Sequence, residues 1–226
     1  MKVGTDGVLL AAWAFDGLDV TRDYTALDVG CGTGVMSLIM AQRFQRAIVT
    51  GVDIDDDAAA EAMENFHLSP WDGRLTAFHG DFLMMPEDES AGRYDLIICN
   101  PPFFTNGALA PDASRRCARH QESLTFATFF KGAARLLREG GRVAVVAPAE
   151  AEQELLFEAA LCGLSPLRLT RVKTVERKPF RRVLLECELS GGGCRQLMVS
   201  QLLIMSPDGT HGEEYVRLVA PFYLKF

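Results

Sequence analysis

Asn100-Pro101-Pro102-Phe103 follows directly on the apolar run Tyr94-Asp95-Leu96-Ile97-Ile98-Cys99. That run reads as a buried strand, which puts the four residues just past a strand's carboxyl end, where open α/β sheets bind their ligands. The Asn100 side-chain oxygen can accept a hydrogen bond while its NH₂ is held by the protein, and the Pro101 carbonyl is a second acceptor. Pro101 and Pro102 fix φ, so that carbonyl is held in place. These groups suit the activation of a planar, conjugated amine. Two acceptors on its protons shift the nitrogen toward a tetrahedral form with an available lone pair, and Phe103 can stack on the attached ring. Taken alone, the two prolines also read as a rigid turn.

A methyl donor for such an amine is suggested upstream. Asp28-Val29-Gly30-Cys31-Gly32-Thr33-Gly34 lies between an expected strand and an expected helix. Glycines there let the backbone turn tightly and approach a ligand, and the helix start offers unpaired N–H groups. The spacing is GxGxG rather than GxGxxG, and the acidic Asp28 would repel a pyrophosphate. Asp53, at the end of the second strand, is placed to accept from ribose hydroxyls. Asp81, ending the third, could accept from an adenine amine. A ligand with ribose, adenine and a cationic centre suits three carboxylates, and S-adenosylmethionine is such a ligand. The candidate cofactor residues are Asp28, Gly30, Cys31, Gly32, Gly34, Asp53, Ile54, Asp81, Phe82 and Asn100. The expected reaction is in-line methyl transfer from sulfur to nitrogen, catalysed by Asn100, Pro101, Pro102 and Phe103 without a strong general base, since the product ammonium loses its proton readily.

These loops need a scaffold that presents strand ends in order. Strand-like segments run from Ala26 to Val29, Ala47 to Ile54, Leu75 to His79, Tyr94 to Cys99 and Arg142 to Ala147. Helical ones run from Val8 to Trp13, Val35 to Phe44, Asp55 to Phe66, Leu124 to Arg138 (closed by Gly140-Gly141) and Glu150 to Leu161. The alternation predicts βαβ units in a mainly parallel sheet. Three further strand-like segments, Leu167 to Thr174, Val183 to Leu189 and Leu197 to Ile204, have no helix between them and predict an antiparallel edge. Thr5 or Asp6 reads as the cap of the first helix, and Asp55, Asp56 and Asp57 as dipole partners of theirs rather than metal ligands.

With 226 residues, 48% of them hydrophobic, the chain is expected to form one domain over 1–226. It shows no apolar stretch of membrane-spanning length and no secretion signal, so a cytoplasmic location is expected. Cys31, Cys99, Cys117, Cys162, Cys187 and Cys194 are scattered without zinc-like spacing, which predicts reduced thiols and no metal. A net charge of −7 argues against a general nucleic-acid binder. Its distribution differs: from Arg168 to Arg182, seven basic residues face Glu176 alone, six net positive charges that leave −13 elsewhere. Arg115, Arg116, Arg119 and His120 make a smaller group. Such clusters could meet phosphates or be solvated faces.

Together these residues resemble class I methyltransferases of the adenine-N6 type. More narrowly, they resemble the bacterial family that methylates N6 of the adenine just 3′ of the anticodon in valine tRNA. The cues are Lys2-Val3-Gly4-Thr5-Asp6-Gly7 with Leu9-Leu10-Ala11-Ala12-Trp13, the Leu27–Gly34 loop, Ser69-Pro70-Trp71, Asn100-Pro101-Pro102-Phe103, Glu214-Tyr215 and Phe222-Tyr223-Leu224. The resemblance implies a Rossmann-like, seven-stranded, mainly parallel sheet with helices on both faces. It also implies S-adenosylmethionine, and Lys2, Thr5 and Asp6 lining the pocket. Family members carry a further N-terminal segment; here Met1 precedes Lys2 directly, so a shortened start is expected. A base in folded tRNA must be turned out to react, and Arg115, Arg116, Arg119, Arg171, Lys173, Arg177, Lys178 and Arg181 are the candidates to hold the tRNA backbone. Two other readings stay open: methylation of a protein glutamine amide, as in release-factor modification, and a binding module that keeps the cofactor fold without catalysis.

Overall fold

The computed structural model describes residues 4–86, 92–101, 124–190 and 196–223. Helix α1 (Thr5–Trp13) precedes an alternating series: β1 (Thr25–Val29), α2 (Val35–Arg43), β2 (Ile48–Asp53), α3 (Asp56–His67), β3 (Leu75–His79) and β4 (Tyr94–Cys99). Then come α4 (Phe126–Leu136), β5 (Leu137–Pro148), α5 (Glu152–Leu161), β6 (Leu164–Val175), β7 (Arg182–Leu189), β8 (Met198–Met205) and α6 (Glu213–Val219). The strands form one sheet in the order β3-β2-β1-β4-β5-β7-β6-β8. β7 runs against both β5 and β6, while the other paired strands are parallel.

Chain order reverses between β1 and β4, which pair directly. This is the switch point at which an open α/β sheet leaves a crevice outside its strand ends. Both candidate loops, Gly30–Gly34 and Asn100-Pro101, leave the sheet there.

Side chains alternate across the sheet. Ala26, Val49, Leu96, Ile98 and Ala144 pack on one face with α1, α2 and α3, and Leu27, Val29, Ile97, Cys99, Val143 and Val145 on the other with α4 and α5. Period-two alternation of apolar residues on both faces explains why β4 reads as an unbroken apolar run. α4 is strongly amphipathic: Phe126, Phe129, Phe130, Ala133 and Leu136 are buried, and Thr125 with Thr128 forms a reciprocal cap at its start.

The structure corrects several expectations in detail. The family likeness implied seven strands; among the described residues the sheet has eight, as many as the strand-like segments in the sequence, and the outermost, β8, runs parallel to β6 where an antiparallel edge was expected. α4 ends at Leu136 and β5 begins at once; Gly140 and Gly141 lie inside that strand, where a Cβ on Gly141 would fall 2.8 Å from the Arg138 carbonyl oxygen. Gly4, not Thr5 or Asp6, occupies the cap of α1, and no side chain bonds there. α6, seven residues long, is too short to register as helical periodicity in the sequence.

Candidate active site

The Gly30–Gly34 loop is drawn onto the end of β2. Gly30 and Cys31 both donate through backbone N–H to the Val52 carbonyl, at 2.8 and 3.2 Å, and Gly32 donates to Asp53 Oδ2 at 2.8 Å. Gly30 has φ +67, and nothing lies within 4 Å of where its Cβ would be, so glycine is needed here for conformation and leaves open space. Gly34 combines φ +77 with the Phe66 ring 2.4 Å from a would-be Cβ, and serves the contact of α2 with α3. Asp53 Oδ1 accepts from the Asp55 N–H at 3.0 Å. Each Asp53 oxygen thus takes one backbone N–H and keeps lone pairs for a further donor. Ile54, beside it, is exposed.

Asp28 is fully buried. Its Oδ2 accepts from Ser37 N at 3.0 Å and Ser37 Oγ at 2.7 Å, which ties β1 to the first turn of α2. Its Oδ1 is buried without a partner among the described residues. Burial pushes the carboxyl up to about 7, and the neighbouring Asp53 charge adds to this, against the lowering effect of Ser37. Ser37 was not visible as a site residue in the sequence, although a hydroxyl three residues past the last loop glycine was a signal.

Asp81 caps the short turn Phe82–Met84 by accepting from Leu83 N at 2.8 Å. The ring of Phe82, a residue expected at the cofactor, lies in the core, 5.9 Å from the Phe129 ring and against Gly132. Apolar burial under α4 outweighs exposure in a polar crevice for that side chain. Cys31 and Cys99 are buried and burial pushes both thiols up, so neither is poised as a nucleophile.

Asn100 is half-buried just past β4, and Pro101 is buried. A Cβ on Gly7 of α1 would lie 3.4 Å from Asn100 Nδ2, so the first turn of α1 stands against the amide nitrogen. Thr5 and Asp6 occupy that same turn, and Asp6 Oδ2 accepts from Arg182 Nε at 2.7 Å. Tyr215 of α6 is buried beside them. Its hydroxyl is pushed up to about 12 by burial first, then by Tyr223, to which it hydrogen-bonds, and by Asp6. Ser69-Pro70-Trp71 forms the turn that closes α3, with Ser69 Oγ bonded to the Phe66 carbonyl at 2.8 Å.

The basic candidates divide. Arg171 is held by both oxygens of Glu152 at 2.7 Å, and Lys173 lies over the Phe180 ring at 4.6 Å. Arg177, Lys178 and Arg181 are exposed on the turn joining β6 to β7, at the same edge of the sheet as Pro148 and Asn100. Lys2, Pro102, Phe103, Arg115, Arg116 and Arg119 lie outside the described residues. Among the described residues, no three His, Cys, Asp or Glu side chains gather as a metal site, and no helix is long and apolar enough to cross a membrane.

This geometry has known counterparts. Residues 13–165 match the family model described as the methyltransferase small domain. Over 226 residues the chain is 39% identical to a "tRNA1(Val) (adenine(37)-N6)-methyltransferase" of Porphyromonas gingivalis, covering 99% of this chain and 89% of that one. Relatives of the same name in Vibrio parahaemolyticus and Flavobacterium johnsoniae are 40% and 37% identical, each over 100% of this chain and over 90% and 93% of their own. In fold, the chain is similar to a crystal structure from Agrobacterium tumefaciens described as a predicted O-methyltransferase, with a TM-score of 0.75 and 17% identity over 95% of both chains. It is also similar to geranyl diphosphate C-methyltransferase of Streptomyces coelicolor, with a TM-score of 0.59 and 16% identity over 79% of this chain and 76% of that one.

Proposed function

This chain belongs to the methyltransferase small domain family, and from that premise we propose that it uses S-adenosylmethionine to methylate N6 of an adenine next to the anticodon of valine tRNA. The observation that carries the reading is Asn100 at the switch point, with its amide nitrogen toward α1. It stands in a chain aligned end to end with relatives named as adenine-N6 methyltransferases.

The residues present fit the cofactor. Asp28 offers a buried carboxylate oxygen, unpartnered among the described residues, to a cationic amino group, Asp53 keeps lone pairs for ribose hydroxyls, and Gly30 leaves space above the strand end. When bound, S-adenosylmethionine supplies an electrophilic methyl group on a cationic sulfur. The protein's own work is on the amine. Asn100 Oδ1 and the Pro101 carbonyl accept hydrogen bonds from the two N6–H groups and draw the nitrogen lone pair out of conjugation with the ring. Pro102 holds the Pro101 carbonyl, and Phe103 stacks on the base. No side chain need take the last proton, because the methylated ammonium is itself acidic. The exposed Arg177, Lys178 and Arg181 hold the tRNA backbone while the nucleotide is turned out of its stack.

Nucleoside mass spectrometry of tRNA from cells lacking the gene tests the reading. N6-methyladenosine should disappear from one valine tRNA and return with the wild-type gene. Its full retention would refute the proposal.

A further inference from the structure

Seven basic side chains stand between Arg168 and Arg182, and they face different ways. Arg168 lies under α1, its guanidinium 4.4 Å above the Trp13 ring and donating to Glu186 and to the Trp13 carbonyl. Arg171 is occupied by Glu152, and Lys173 by Phe180. Arg177, Lys178 and Arg181 point outward from the turn. Arg182 turns inward. It opens β7 directly across from Pro148, the last residue of β5. Its Nε donates to Asp6 Oδ2 at 2.7 Å and its Nη1 to the Arg181 carbonyl at 3.0 Å, while Nη2 has no partner among the described residues. Asp6 immediately precedes Gly7, the residue against Asn100. The guanidinium is thus one contact from α1's first turn, and that turn is one contact from the Asn100 amide.

Resting on the RNA reading above, we propose that Arg182 is a substrate-positioning residue: held by Asp6 along one edge, it grips with its free edge the phosphodiester of the nucleotide whose base enters beside Asn100. The guanidinium fork suits this role, because a carboxylate can fix one edge while the other meets a phosphate. A purely structural tie explains the pair less well. Its side chains are 40% and 34% exposed, and ion pairs this accessible contribute little to stability. Lys178 and Arg181, exposed on the adjoining turn, add positive charge outside Arg182.

The test uses the full chain, cognate tRNA, and cofactor binding measured by calorimetry. Arg182→Gln should raise the KM for tRNA about tenfold or more, with cofactor affinity unchanged. It should also lower the slope of log affinity against log salt by about 0.7 to 0.9, one phosphate's worth. Arg182→Lys should restore the salt slope but not kcat/KM, because an ammonium cannot keep the Asp6-directed fork. Asp6→Asn, which keeps the Arg182 charge but loosens the orientation of its guanidinium, should raise the KM without altering the slope. Arg46→Gln removes an exposed arginine paired with Asp23 ahead of β2, at the opposite edge of the sheet, and should change none of these. An unchanged KM and salt slope for Arg182→Gln would overturn the proposal. So would equal losses for cofactor and tRNA together with a lowered melting temperature. A wild-type chain that methylates no RNA is a separate failure, seen before any variant is compared, and removes the reading on which this one rests.

Discussion

The corner where β1, β2 and β3 end and the hairpin where β6 turns into β7 both concentrate charge, but they hold it differently. At the corner, each aspartate takes a backbone N–H: Asp28 from Ser37, Asp53 from Gly32 and Asp55, Asp81 from Leu83. In the hairpin, Arg168 is held by Glu186 directly across from it on β7, while Arg171 and Arg182 are held by acidic side chains from other elements, Glu152 and Asp6. Backbone partners follow from where a residue stands relative to a strand end. Side-chain partners follow from tertiary packing, so like residues in one run acquire unlike roles.

The sharpest break in that comparison comes at the reacting centre. Asn100→Ala should lower the single-turnover methylation rate roughly a hundredfold or more, as loss of one preorganised polar contact does elsewhere, with cofactor affinity nearly unchanged. An equal loss of cofactor binding would move Asn100 to the cofactor side. Within the hairpin run, Arg168→Ala should cost about 1–3 kcal/mol in denaturant unfolding, because the fully buried Glu186 loses one of its two arginine partners and keeps Arg142. Arg177→Gln should stay within about 0.5 kcal/mol; equal costs would erase the division between inward-facing and outward-facing arginines.

At the corner, Asp53→Ala should weaken cofactor binding about tenfold to a hundredfold by calorimetry, the loss of hydrogen bonds to a charged acceptor. Asp28 adds a pH signature. Its folded pKa, about 7, stands above the ordinary carboxylate value. The folded state therefore binds more protons between the two, and this group's contribution to stability falls as pH rises through that interval, levelling above about 7. A cationic ligand favours the ionised form, so cofactor affinity should rise toward pH 7 and then level. Asp28→Asn should flatten both trends, and a retained slope would assign them to another group. The smallest effect belongs to the outer turn: Arg177→Gln with Lys178→Gln should reduce the salt slope of tRNA binding by about 1.5 and leave cofactor affinity alone.

The alternating elements, the parallel strands and the loops at Gly30 and Asn100 were legible because period-two apolar runs and glycine or proline turns are local signals. Where the Phe82 ring lies was hidden for a related reason: Phe129 and Gly132, about fifty residues on, draw it into the core. The capping reading of Thr5 and Asp6 missed Arg182, whose partner lies 176 residues away. The contact of Gly7 with Asn100 was equally hidden, since it depends on how α1 docks.

The central claim, that Asn100 and its loop act on an adenine amine in tRNA, is tested most directly by incubating the purified chain with unmodified valine tRNA and methyl-deuterated S-adenosylmethionine. Nucleosides are then read by mass spectrometry. The account predicts deuterated N6-methyladenosine at the single adenine 3′ of the anticodon, formed roughly a hundredfold or more slowly with Asn100→Ala. Label at no nucleoside, or on a protein glutamine instead, would contradict it.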